Sequence, residues 1–299
     1  MALRDFLWFP WSGRRRRGAY GFGWRRHDKM SFQKNFKHPF LLAHHDFFKG
    51  IRSWSLWFGL GIHDIRIRYK RTLLGPLWIT ASQAATFICM GMLFSAVLKN
   101  DVTDYLPYLA AGMVIWSFVS AVANESAQIF TSAHHVITSL RIPLVVHVLR
   151  FVFRHLLVFF HNFAAAVAAF LILGGHLTAA SSFLLVSVPL LFIMMSSAAL
   201  IVAVVGARFR DIAPVIGIVM QLTFFMTPIM WRTSDIPNAS KWWVTINPWH
   251  HVIEVVRAPM LGTMPAPLSV EVLLFGTLVL VALAYVMFCS FRHRIAYWL

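Results

Sequence analysis

Apolar residues in this chain gather into long runs. Six of them, near 77–98, 107–128, 146–172, 182–206, 212–231 and 270–290, hold about 20 residues each. That is the length a helix needs to cross the ~30 Å hydrocarbon layer of a bilayer. Several runs begin with helix-start chemistry. Pro76, Pro143 and Pro214 each open a span or its approach, where a missing N–H costs nothing. Asp211 stands in the place of an N-cap, three residues before Pro214. Ahead of the first run, Ile51, Trp54, Phe58, Ile62, Ile65, Tyr69 and Leu73 recur at steps of three and four, while Arg52, Asp64, Arg66, Lys70 and Arg71 take other faces. This pattern predicts an amphipathic helix over 51–75, lying in the membrane interface. Between the fifth and sixth runs, Asn247-Pro248 reads as N-cap and first helical residue, and Pro259 and Gly262 end the segment. A helix over 248–258 would be only about 16 Å long. Short re-entrant helices dipping from the outer side are expected there, the alternative being a surface loop.

Composition makes the membrane reading firm. Of 299 residues, 59% are hydrophobic and 13% charged, about half the usual charged share. Mean hydropathy is +0.67, too apolar for a water-exposed surface. The formal net charge is nevertheless +16, so the basic residues concentrate in the connections. In a membrane protein such an excess points to anionic lipid headgroups rather than to nucleic acid. Its distribution sets the orientation. Residues 1–76 carry 16 Lys and Arg, 129–154 carry 3, 207–213 carry 2 and 291–299 carry 2; the other side holds only Lys99, Arg232, Lys241 and Arg257. The positive-inside rule then places both termini in the cytoplasm. Residues 1–50 read as a basic cytoplasmic arm. The Arg14–Arg17 block has no apolar segment after it, so neither a Sec nor a twin-arginine signal is expected. Cys89 and Cys289 fall within apolar runs and read as small core residues.

Candidate chemistry is sparse. No G-x-x-x-x-G-K-[ST] occurs, so this chain has no P-loop for ATP phosphates. No catalytic constellation is expected, and no metal site: His44-His45, His134-His135 and His250-His251 are sequence neighbours, which do not share a helical face. The third span carries His147, Arg150, Arg154 and His161 on one face. Two readings stay open, anchoring at the interface by snorkelling and a polar lining toward the bundle interior. His161 is the deepest of the four and separates them. Glu125, a lone acid near the cytoplasmic end of the second span, is placed to pair with Arg150 or Arg154. Trp78, Phe87 and Phe94 on the first span and Phe224, Phe225 and Trp231 on the fifth supply aromatic faces. These suit either core and lipid packing or stacking on sugar rings.

Three motifs then resemble those of one family. Asp64-Ile65-Arg66-Ile67-Arg68-Tyr69-Lys70-Arg71-Thr72-Leu73-Leu74-Gly75-Pro76-Leu77-Trp78 is similar to the opening signature of ABC-2 type permeases for polysaccharide and polyol phosphate export. Ala207-Arg208-Phe209-Arg210-Asp211-Ile212, followed by Phe224-Phe225-Met226-Thr227-Pro228-Ile229, resembles the junction between their fourth and fifth spans. Asn247-Pro248 through Glu254, Arg257-Ala258-Pro259 and Gly262 resembles their outer segment. The likeness covers about residues 60–290 and is strongest to O-antigen exporter permeases.

The resemblance implies an all-α, six-span membrane domain over 76–299 that forms a homodimer. It implies two copies of a separate P-loop ABC ATPase, which bind ATP and Mg; no cofactor is expected in this chain. The cargo would be a lipid-linked polysaccharide on undecaprenyl diphosphate, moved across a bacterial inner membrane. Arg66, Arg68, Lys70 and Arg71 would meet the diphosphate, a cation complementing a phosphate. Ile137, Thr138 and Arg141, with Arg208, Arg210 and Asp211, would contact the ATPase, and the six aromatic residues above would line the path. Capsular polysaccharide or a teichoic acid fits the same pattern. Two readings from other classes remain: a glycan-modifying acyltransferase using His161 and Glu125, and a secondary transporter, which would need internal repeats.

Overall fold

The computed structural model describes residues 39–70, 75, 77–235, 237 and 242–299, and every regular element among them is helical. The chain opens with α1 (Pro39–Arg52) and α2 (Trp54–Tyr69), which break at Ser53. The Ser53 hydroxyl donates to the Lys49 carbonyl at 2.7 Å, the local bond by which serine competes with a helix ladder. α1 thus occupies 12 residues of the segment expected to be a basic arm; the rest of that arm, 1–38, lies outside the described residues, as does Pro76.

Then follow α3 (Leu77–Leu98), α4 (Val102–Ser126), α5 (Ile129–Ser132), α6 (His134–Ser139), α7 (Leu144–Ile172), α8 (Leu184–Arg208), α9 (Ile212–Met226), α10 (Trp242–Ile246), α11 (Pro248–Met260) and α12 (Pro267–Trp298). A 3-10 turn, Ala179–Phe183, leads into α8. Among the described residues, five helical segments are long and apolar enough to cross a membrane: α3, α4, α7, Ala179–Arg208 and α12. The expected fifth span is shorter than its apolar run. α9 has 15 residues, about 22 Å at 1.5 Å per residue. It stops at Thr227-Pro228, where proline supplies no N–H and disfavours the α region for its predecessor. α4, conversely, starts earlier than the run. The Asp101 carboxylate accepts from the Thr103 N–H at 2.9 Å, and that bond holds its pKa below the usual value. Pro107, expected at the start of the span, lies inside the helix.

α4 is the centre of the bundle. It packs against α3, α7, α8, α9 and α11, and Leu109, Ala110, Ala111, Val114, Ile115, Val119 and Val122 are wholly buried. Small residues at its contact faces let neighbouring backbones come close, as membrane helices require. α12 packs along α8 and α11, and α1 lies across α7 and α12. α3 and α9 are peripheral: only Phe87, Gly91 and Ser95 of α3 and Met220 of α9 are buried.

The inward face of α2 is rotated from the one its apolar stripe predicts. Trp54 and Phe58 are exposed, whereas Gly61 is buried. A Cβ on Gly61 would lie 2.6 Å from Phe153 Cδ1, so only glycine permits this approach to α7. Three residues on, Asp64 binds Arg150 of α7. One close contact and one ion pair therefore decide which face turns inward.

Candidate functional site

At one end of the bundle, residues from three separated segments, the start of α4, the end of α9 and α11, form a clamp. Asn247 caps α11 by accepting from the Trp249 N–H at 3.0 Å, and Pro248 is its first residue, as the sequence predicts. The same Asn247 side chain donates to Thr227 Oγ1 at 3.0 Å, fixing the point where α9 stops. Arg257, 3% exposed, donates to the Pro228 carbonyl at 2.8 Å and to Glu254 at 2.7 Å. Its guanidinium lies 4.0 Å from the Tyr108 ring centroid, a cation–π contact strengthened by desolvation. The Tyr105 hydroxyl donates to the Met230 carbonyl, and Arg232 pairs with Asp104 at 3.3 Å. α11 is thus a buried helix joined to the start of α4 and the end of α9; nine of its 13 residues are buried.

Below the clamp, α4 and α9 border an open groove of about 270 Å³. Trp116, Ser120 and Asn124, one turn apart, come from α4; Gly217, Gln221, Phe224 and Phe225 come from α9. The Trp116 ring is 5.8 Å from Phe224 and 6.1 Å from Trp249, and Phe224 is 5.4 Å from Phe225. Amide and hydroxyl groups thus stand beside aromatic faces, with Phe225 64% exposed. Sequence reasoning reached Phe224 and Phe225 but missed Trp116, Ser120, Asn124 and Gln221. The i, i+4, i+8 spacing of Trp116, Ser120 and Asn124 on α4 was readable, but which neighbour that face meets depends on how α4 and α9 pack. Trp231, 5.4 Å from Trp243, belongs to the clamp end. Trp78 is exposed on α3 and Phe94 half-buried, neither in this groove. Phe87, expected along the path, is 1% exposed and packs in the core; an inward position on a helix that also contacts α4 and α7 made it a packing residue.

At the opposite end, the polar stripe of α7 divides. Arg150 makes a bidentate pair with Asp64 of α2 at 2.6 and 2.5 Å, geometry that suits the planar guanidinium. Glu125 of α4 binds Arg154 and His155, both at 3.2 Å. Of the two partners expected for Glu125, the structure thus selects Arg154. Asp64, Arg150, Arg154 and His147 surround a cavity of about 170 Å³ together with Ser132 and Val136. His161, expected to be the deep member, is exposed and bonds to the Leu157 carbonyl at 2.7 Å. His147 of the predicted stripe is buried, and His155 and Asn162 are the other buried polar residues of α7. Steps of 3, 4 and 7 leave a residue's face uncertain by tens of degrees over four turns, which is how His161 ends outside.

Of the residues expected to meet an ATPase, Arg210 alone borders the groove between the α4–α6 connection and the end of α8. α6 carries Ile137 and Thr138, and Arg141 follows it. Gln128, His134 and His135 face Gly206 and Arg210 across a groove of about 410 Å³. A Cβ on Gly206 would sit 2.4 Å from the Ala127 carbonyl oxygen, so α8 touches the backbone after α4 directly. The Arg208 guanidinium lies 5.6 Å from the Trp298 ring centroid. Asp211 occupies the N-cap position of α9, but its side chain makes no capping bond. Of the residues expected at a diphosphate, Arg66, Arg68 and Lys70 are exposed on and after the last turn of α2; Arg71 lies outside the described residues.

Comparison with known proteins gives a consistent picture. The ABC-2 type transporter family pattern matches residues 58–261. The chain is 23% identical over 234 residues to the O-antigen export system permease protein RfbA of Klebsiella pneumoniae, spanning 78% of this chain and 90% of that protein. A protein of the same name from Myxococcus xanthus is 22% identical over 177 residues, 59% of this chain and 68% of its own length.

Proposed function

The chain belongs to the ABC-2 type transporter family, and we propose that it is the permease subunit of an exporter for a lipid-linked polysaccharide. The observation that carries this reading is the groove of Trp116, Phe224 and Phe225 beside Ser120, Asn124 and Gln221. Aromatic faces stack on the C–H faces of sugar rings, and amides and hydroxyls exchange hydrogen bonds with ring hydroxyls. A surface of that kind holds a glycan while letting it slide. The O-antigen names of the relatives point to the same cargo.

The remaining roles follow as parts of this reading. A second copy of the chain completes the conduit: α3 and α9 carry exposed apolar faces, with Met92, Leu93, Leu222 and Phe225 among them. α9 with residues 227–231 forms the fifth of six spans, and α10 and α11 re-enter from the outer side. Arg66, Arg68, Lys70 and Arg71 meet the undecaprenyl diphosphate at the inner face. ATP is hydrolysed by two copies of a partner P-loop subunit, which dock against Ile137, Thr138, Arg141, Arg208, Arg210 and Asp211. The inner membrane is the site of action, with both termini cytoplasmic. The acyltransferase reading loses support, since His161 is exposed and Glu125 is held by Arg154 and His155.

The test is reconstitution. Liposomes containing this chain and a partner P-loop ABC ATPase are expected to move fluorescent lipid-linked glycan from one leaflet to the other only when ATP is supplied. Translocation by this chain alone, or driven by a proton gradient without ATP, would overturn the proposal.

A further inference from the structure

A second cavity lies away from the groove of Trp116 and Phe225. It is an open slot of about 550 Å³ under α1, bordered by α7, α8 and α12, within the roughly 300–1,000 Å³ of small-molecule sites. Phe48 and Ile51 of α1 cover one end. From there it runs along α12 from Tyr285 to Leu278 and along α8 between Leu200 and Phe192. Those spacings correspond to about 10 and 12 Å of helix. The slot is therefore longer than a compact ligand needs.

Its lining is almost wholly carbon. Three hydroxyls reach it. That of Ser197 donates to the Ile193 carbonyl, and that of Tyr285 is bonded to His44. Only Ser196 Oγ is buried with no partner among the described residues. A peptide or polar solute would leave its own polar groups unpaired here, at a cost of kilocalories each. A hydrocarbon chain has none to leave.

Charge at the covered end selects the headgroup. α1 ends with Lys49 and Arg52, beside and one turn beyond Phe48. Both are exposed, and neither forms an ion pair among the described residues. The nearby acid, Asp46, is already held by Arg292 at 3.2 Å. Free cations at the mouth of an apolar slot complement a phosphate attached to a hydrocarbon tail.

We infer that this slot binds one acyl chain of an anionic diacyl phospholipid, with the headgroup phosphate at Lys49 and Arg52. A slot that runs only about 10–12 Å along its helices takes part of one acyl chain but little of the far longer prenyl chain of an undecaprenyl lipid. The inference rests on the chain's place in a membrane and not on its cargo, so failure of glycan export in liposomes would leave it standing.

Native mass spectrometry of the delipidated full chain in mild detergent tests it. The probes are phosphatidylglycerol, phosphatidylcholine and undecaprenyl phosphate, titrated separately. One phosphatidylglycerol per chain is expected to be retained about thirtyfold more tightly than phosphatidylcholine, at about a factor of five for each basic residue. Lys49→Gln with Arg52→Gln, both exposed and so without effect on folding, is expected to remove that preference. Ala282→Trp, which puts bulk into the slot at an exposed position, is expected to abolish retention. Equal retention of the two phospholipids, a preference that survives the double substitution, stronger retention of undecaprenyl phosphate, or no retained lipid would each overturn the assignment.

Discussion

Arg257 shows how much one residue can hold together. Its guanidinium contacts Pro228, Glu254 and Tyr108 at once, joining the end of α9 to α11 and α4. Removing one partner of a buried pair leaves the other charge uncompensated, at roughly 3–5 kcal/mol. Arg257→Gln is expected to lose about 3 kcal/mol, read as a fall in the melting midpoint in detergent; Arg257→Lys should recover only part, since an ammonium lacks the planar fork. An unchanged midpoint would show that the clamp carries no stability. Phe225 poses the opposite case. It is 64% exposed, so Phe225→Ala should leave the midpoint within about 0.5 kcal/mol of the parent. If the groove carries glycan, ATP-driven export should nevertheless fall several-fold; unchanged export would assign Phe225 to lipid contact. The sequence made both residues visible, each within a motif. Trp116 was hidden because which helix its face meets is decided by packing, although Ser120 and Asn124 mark that face.

Among elements, α2 and α7 form the junction that matters most. Asp64 and Arg150 join them by a bidentate pair, and Gly61 brings the backbones into contact below it. The pair borders the same cavity as Ser132 and Val136 of α5 and α6, so it sits between the expected ATPase contacts and the helix expected to meet the carrier lipid. A double-mutant cycle with Asp64→Asn and Arg150→Gln is expected to give a coupling energy of about 1–2 kcal/mol in stability. The single variants should uncouple ATP hydrolysis from export, while the charge-swapped pair Asp64→Arg with Arg150→Asp restores part of it. Additive stabilities would show that the contact is incidental. The apolar stripe predicted that α2 exists, but not its inward face, because the close contact at Gly61 and an ionic contact outweighed Trp54 and Phe58.

For the whole molecule, the charge asymmetry is the feature most open to test. Leu140 and Met264 are exposed near opposite ends of the bundle, and the positive-inside count places the first inside and the second outside. After Cys89→Ala and Cys289→Ala, a membrane-impermeant thiol reagent applied to intact cells is expected to label Met264→Cys and not Leu140→Cys. Labelling of both from outside would overturn the topology.

What the sequence determined by itself was the solvent, the number of apolar runs, the uneven distribution of charge and the family. Those are sums over many residues, and errors at single positions average out. It also carried the local chemistry of Asn247-Pro248, since a cap is decided within three residues. Only the tertiary structure decided that α4 is the centre, that α9 stops at Thr227, that Glu125 pairs with Arg154 and that His161 faces outward. In a bilayer, hydrophobicity does not distinguish a core face from a lipid face. Close contacts such as Gly61 on Phe153 and Gly206 on Ala127 settle that choice, and they exist only once two distant segments meet.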